Sequence, residues 1–202
     1  MARASATGSR RAPGSRSDRY AHGARRRRPA ARLDRQRILS VNLWRIAAET
    51  RRYAADDLSG KGAALRPGRW NDEGHPVVYA ALTPALAVLE TVAHIDDGGL
   101  PLNRFLVRIE VAETVWQARE ERRIDELPAA WSAIPAGRAS VEIGSKWLAA
   151  GASAILLVPS VIVPEERVAL VNPAHPAARS IGAQVVRRFE YDRLFRRPGV
   201  SR

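Results

Sequence analysis

LSGKGAALRPGRWNDEGHPVVYAALTPALAVLETVAH, residues 58–94, passes from a glycine-rich loop to a short strand and then to a helix. The loop holds Gly60, Gly62 and Gly68, with Arg69 directly after the third. The β-branched pair before Tyr79 predicts a strand over residues 76–81. Thr83 is placed as an N-cap, with Pro84 at the first helical position, where a missing N–H costs nothing. The helix is predicted to reach about His94, before the turn Asp96-Asp97-Gly98-Gly99. Arginine, tyrosine and a carboxylate on three consecutive elements can converge on a small anionic ligand. Packing alone gives no reason for that order.

The carboxylate is Glu90. With Leu86 at zero and ~100° per residue, Leu89 falls near −60°, Ala93 near −20°, Glu90 near +40° and His94 near +80°. Glu90 therefore sits on or beside the arc expected to face the core. A carboxylate there is costly unless paired or hydrogen-bonded. Two readings stand side by side: an ion pair that fixes a loop, or a group that meets developing positive charge.

Other residue types fit a binding site, each with a plain alternative. Arg69 offers a fork matched to phosphate, or is a surface arginine. Arg45 ends the predicted strand 38–46, where a charge is unremarkable. Tyr79 can stack on a ring or fill core. Ser160, after the apolar run ILLVP, can line a cleft or merely form a turn. His94, one turn beyond Glu90, can be its hydrogen-bond partner.

The composition narrows the classes. Of the net charge of +12 over 202 residues, +10 falls in residues 1–40, where twelve arginines face only Asp18 and Asp34. The remainder is nearly neutral, so its partner need not be a polyanion. Residues 1–37, with almost no apolar bulk, read as a disordered basic tail, and residues 38–202 as one domain. The run Arg25–Arg28 allows at most weak nucleic-acid contact. With no cysteine and four histidines at no ligand spacing, no metal site is expected. No stretch approaches the roughly 18 apolar residues of a membrane span, so the expected location is the cytoplasm.

Further along, residues 105–111 read as a strand and residues 112–138 as irregular, with Trp116 and Trp131 packed on the body. Ser140 is expected to cap a helix ending near Ala150, closed by Gly151. Strands are expected at 154–158, 168–171 and 185–189. Strands outnumber helices and do not alternate with them, which predicts an α+β domain rather than a doubly wound sheet.

Taken jointly, LWR (43–45), LSGKGA (58–63), GRWN (68–71), VVYAA (77–81), TPALAVLE (83–90), VPS (158–160) and LVNPAHP (170–176) resemble the RES-domain toxins of bacterial toxin–antitoxin pairs. The resemblance spans about 38–196. It implies an ADP-ribosyltransferase-like fold, a mixed or antiparallel sheet core with flanking helices. It also implies an enzyme that consumes NAD+ as substrate, with no prosthetic group. The nicotinamide glycosidic bond would be cleaved and ADP-ribose passed to water or phosphate, or alternatively to a protein. By motif position Arg45 and Arg69 would grip the phosphates, Tyr79 would line the nicotinamide end and Glu90 would be the catalytic carboxylate. Ser160 and His94 would shape the pocket. An Xre-type antitoxin is the implied partner, with the toxin a homodimer in the complex. Leu86 stands where many relatives carry a small or polar residue. A non-catalytic or tail-driven nucleic-acid-binding module is the alternative of another class.

Overall fold

A computed structural model describes residues 40–93, 95 and 102–191. The tail expected over 1–37, His94 and the turn after it lie outside the described residues.

The architecture is mixed α and β around one seven-stranded sheet of order β4-β5-β6-β2-β1-β3-β7. Its strands are β1 (Ser40–Ala48), β2 (Val78–Ala81), β3 (Arg104–Ala112), β4 (Glu120–Glu121), β5 (Ile155–Pro159), β6 (Arg167–Val171) and β7 (Gly182–Phe189). Every pairing is antiparallel except β4 with β5. The helices are α1 (Lys61–Leu65), α2 (Pro84–Val92), α3 (Glu113–Gln117) and α4 (Arg138–Ala150). The α+β expectation is met.

Alternation along the strands makes two cores, one on each face of the sheet. Leu43, Val78, Val107, Ile109, Ile155 and Val171 fill one, all 1% exposed or less. Burying each such side chain stabilises by roughly 1.5–3 kcal/mol. Val77, Ala81, Leu156, Val158 and Leu170 meet Leu86, Ala87, Trp70, Trp131 and Trp147 in the other. That second core carries α2 and α4.

The long pairing of β1 is with β3, nine residues in register from Ser40↔Ala112 to Ala48↔Arg104. With β2 it shares one pair, Trp44↔Ala81. The sheet is thus barely sewn at its centre. The seam between β1 and β2 is where it opens.

Three local expectations change, and the rotation of α2 becomes defined. The glycine-rich loop contains α1, a five-residue helix. The stretch 112–138 is not simply irregular but holds α3, β4 and two short 3-10 turns, Ile124–Glu126 and Ala129–Ser132. Ser140 does not cap α4. Gly137 takes that place, and Ser140 Oγ, inside the first turn, donates to the Gly137 carbonyl at 3.2 Å. On α2, Leu89 is 41% exposed while Leu86 and Ala87 are buried. The inward arc is therefore turned away from Leu89, and Glu90 lies close to its middle. The caps at Thr83, whose Oγ1 accepts the Leu86 N–H at 3.1 Å, and at Gly151, left-handed with φ 56, are as expected.

Candidate active site

The loop after α1 is built around Asn71, fully buried. Its Oδ1 accepts the Gly68 N–H at 2.9 Å and the Tyr79 hydroxyl at 2.8 Å. Its Nδ2 donates to the carbonyls of Ala63, Asp72 and His75 at 2.9–3.1 Å. Tyr79 Oη also accepts the Trp70 N–H at 2.9 Å. Gly68 is required by close approach, since a Cβ there would stand 2.7 Å from the Cζ and Oη of Tyr79. Burial raises the Tyr79 phenol well above its ordinary range, against the opposing pull of the Trp70 N–H and Arg69. It stays a neutral hydrogen-bond donor.

Arg69 leaves the same loop. Its Nη1 donates to the carbonyls of Trp131 and Ala133 at 2.9 and 2.8 Å. Among the described residues Nε and Nη2 hold no hydrogen bond, so one edge of the fork is open. Burial lowers the basicity of this guanidinium, and the charge of Glu90 pulls it back.

Glu90 is half-buried and accepts a hydrogen bond from Ser160 Oγ at 2.6 Å. Ser160 is 1% exposed, and its Oγ accepts the N–H groups of Ile162 and Val163 at 3.1 Å each. With its lone pairs engaged by those two donors, the hydroxyl proton is directed to the carboxylate. Glu166 ties the pieces together: its carbonyl accepts the Ser160 N–H at 3.0 Å, and its carboxylate accepts from Thr83 Oγ1 at 3.2 Å. The turn after β5 and the start of α2 are locked to each other, which aims Glu90 at Ser160.

Arg45 stands apart. From the pair Trp44↔Ala81, alternation sends Arg45 to the face of Leu43 and Ala47, whereas Tyr79 projects to the other. Its Nη1 donates to the Asp57 carbonyl at 3.3 Å. Burial lowers its basicity and the Asp57 charge opposes that.

One cleft of about 1240 Å³ joins these parts through the seam. Arg45, Arg69, Tyr79, Glu90 and Ser160 all line it. Glu90, Ser160, Arg69 and Tyr79 cluster on one side, with Arg45 across the opening. The volume exceeds the roughly 300–1,000 Å³ of a usual small-molecule pocket. No cluster of metal-ligating side chains occurs among the described residues, and no helix there is long and apolar enough to cross a membrane.

Sequence reasoning quoted Asn71 without assigning it a task. An asparagine between Gly68 and Gly74 in a turn-rich loop was the available signal. Thr83 was seen only as a cap, and nothing in the sequence pointed to Glu166 or to the Trp131 and Ala133 carbonyls.

Comparison with known proteins agrees with this architecture. The RES domain family matches residues 42–193. A "Prs ADP-ribosylating toxin" of Sphingobium sp. is 53% identical over 154 residues, 76% of this chain and 96% of its own length. A "Toxin Res" of Pseudomonas putida is 41% identical over 145 residues, 71% of this chain and 92% of its own. In the crystal structure of the M. tuberculosis MbcT–MbcA toxin–antitoxin complex, one chain superimposes with a TM-score of 0.55 at 16% identity. That match covers 72% of this chain and 81% of the other, and concerns the fold. With three-quarters of its length inside the family pattern, the chain belongs to the RES-domain family of toxins.

Proposed function

We propose that this protein is the toxin of a toxin–antitoxin pair and that it breaks the nicotinamide glycosidic bond of NAD+, transferring ADP-ribose. The observation that carries this is Glu90, set by a buried serine on the wall of a large cleft that also holds Arg69 and Tyr79.

In this reading Glu90 is the catalytic carboxylate. As the bond from the ribose C1′ to the pyridinium nitrogen breaks, its electron pair neutralises the nitrogen and leaves an oxocarbenium-like ribose. A fixed carboxylate beside that carbon stabilises the cation where it develops. A nucleophile then bonds to C1′ and loses its proton to the carboxylate or to solvent. Arg69, through its open Nε–Nη2 edge, and Arg45, across the seam, hold the pyrophosphate. Tyr79 lines the nicotinamide end. Ser160 acts through Glu90, because its buried hydroxyl is fully engaged. By motif position His94 is also assigned to NAD+ binding, although it lies outside the described residues.

NAD+ is consumed as substrate, and the acceptor is water or phosphate. A protein acceptor is the second reading, favoured by the Sphingobium relative, whose name describes ADP-ribosylation of Prs. The partner is an Xre-type antitoxin, with the toxin a homodimer in the complex, acting in the cytoplasm. The basic run Arg25–Arg28 adds at most weak nucleic-acid contact.

Incubating the purified protein with NAD+, with and without phosphate and with the relative's protein acceptor, separates the outcomes by mass spectrometry. Free ADP-ribose, its phosphorylated form or a modified protein identifies the acceptor. Glu90→Gln is expected to lower turnover by about a thousandfold. Undiminished turnover in that variant would refute the assignment.

A further inference from the structure

Among the described residues four arginines line the cleft: Arg45, Arg66, Arg69 and Arg138. Three have engagements. Arg45 donates to the Asp57 carbonyl and sits in the field of its carboxylate. Arg69 commits Nη1 to two carbonyls. Arg138 pairs with Asp72 at 3.2 Å. The side chain of Arg66, among the described residues, holds no hydrogen bond, ion pair or ring contact.

Its backbone is nevertheless fixed. The Arg66 N–H donates to the Gly62 carbonyl at 3.0 Å, closing α1. The following Pro67 excludes the helical region for Arg66, which adopts φ −132 and ψ 89. Two residues on, Gly68 is pressed against the Tyr79 ring. Arg66 is thus an exposed, uncommitted guanidinium whose backbone is hydrogen-bonded into α1, three residues before Arg69 and on the rim of the same cleft. A solvated arginine head needs no partner to be stable, but such a placement brings a whole fork to any anion that enters.

We infer that Arg66 is a third phosphate-binding residue of this site, taking the pyrophosphate of the dinucleotide at the cleft mouth. This rests on the NAD+ reading above and adds a residue to it. Because Arg66 lies on the rim, its attraction acts on ground state and transition state alike. It therefore sets affinity rather than the rate of bond breaking. Exposure also makes the contribution sensitive to salt.

The test uses ADP-ribose, which keeps the pyrophosphate and lacks nicotinamide, so binding is read without turnover. Its dissociation constant is measured by calorimetry for the full chain, Arg66→Gln and Arg66→Lys, at low and high ionic strength. NAD+ loss is followed in parallel. Arg66→Gln is expected to weaken binding about fivefold at low salt, with the gap narrowing at high salt and KM rising while kcat holds. Arg66→Lys should recover part of the loss. If the parent binds ADP-ribose and Arg66→Gln binds it equally well, this inference fails and the NAD+ reading stands. A parent that neither binds ADP-ribose nor consumes NAD+ overturns both.

Discussion

Ser160 Oγ donates to Glu90 Oε1 across 2.6 Å while accepting two backbone N–H groups from the turn that follows it. The serine is sealed from solvent and the glutamate is only half-buried. The pair therefore has a direction: the turn fixes the serine, the serine fixes one carboxylate oxygen, and the carboxylate faces the cleft. A short bond to an ionised acceptor is among the stronger ones a neutral donor makes.

Replacing Ser160 with alanine should leave Glu90 in place but less well aimed. The expected loss in kcat lies between about ten- and a hundredfold, the scale of a misplaced reacting group, with KM little changed. Two N–H groups of the turn lose their acceptor, so stability should fall by about 1–3 kcal/mol. Steady-state kinetics with thermal unfolding on the same sample checks both. An unaltered kcat would show that the hydroxyl has no part in aligning the carboxylate.

Gly68→Ala tests the packing of the loop on Tyr79. The new Cβ would meet the ring at 2.7 Å, and the ring cannot retreat without breaking its bonds to Asn71 and Trp70. A cost of about 2 kcal/mol is expected, with a raised KM because Arg69 follows directly. Wild-type melting and KM would mean that the loop yields freely.

Gly144→Ala probes how α4 is seated. A Cβ at Gly144 would lie 1.8 Å from the Trp70 carbonyl oxygen, which is backbone and belongs to the loop lining the cleft. The helix must move outward and open the second core around Trp147. About 3 kcal/mol of stability should be lost, read by denaturant unfolding.

The alkaline limb of stability should carry a signature of Tyr79. Its phenol is raised above the unfolded value, so the folded state keeps the proton after the unfolded chain has lost it. The contribution is complete below the unfolded pKa of about 10 and declines as pH rises from there through the folded value. Tyr79→Phe should flatten this decline relative to the parent in unfolding curves taken across that range. An unchanged slope would place the alkaline sensitivity elsewhere.

The sequence was most informative where a local rule leaves few alternatives. Thr83-Pro84 marked the start of α2, Gly151 the end of α4, and the apolar runs at 154–158 and 168–171 the buried strands. Ser140 misled because a serine early in a helix can bond backward from inside the first turn as readily as it can cap. The rotation of α2, which leaves Leu89 exposed, was not legible either, because a wheel gives relative angles while the rotation of a helix on its sheet is fixed by what it packs against. Both points concern orientation in space, which no window of sequence contains.

Glu90 on the inward arc, and the motif order that marks the family, were written in the order of residues alone, because helical periodicity and short motifs are local. What faces Glu90 was decided seventy positions away, where the turn after β5 brings up Ser160 and is tied to α2 through Glu166. The cleft itself follows from a single shared pair between β1 and β2, a matter of strand register. Chain geometry over a few residues sets propensity and periodicity. Partners far apart in sequence are chosen only when the whole sheet closes and each buried polar group must find its mate.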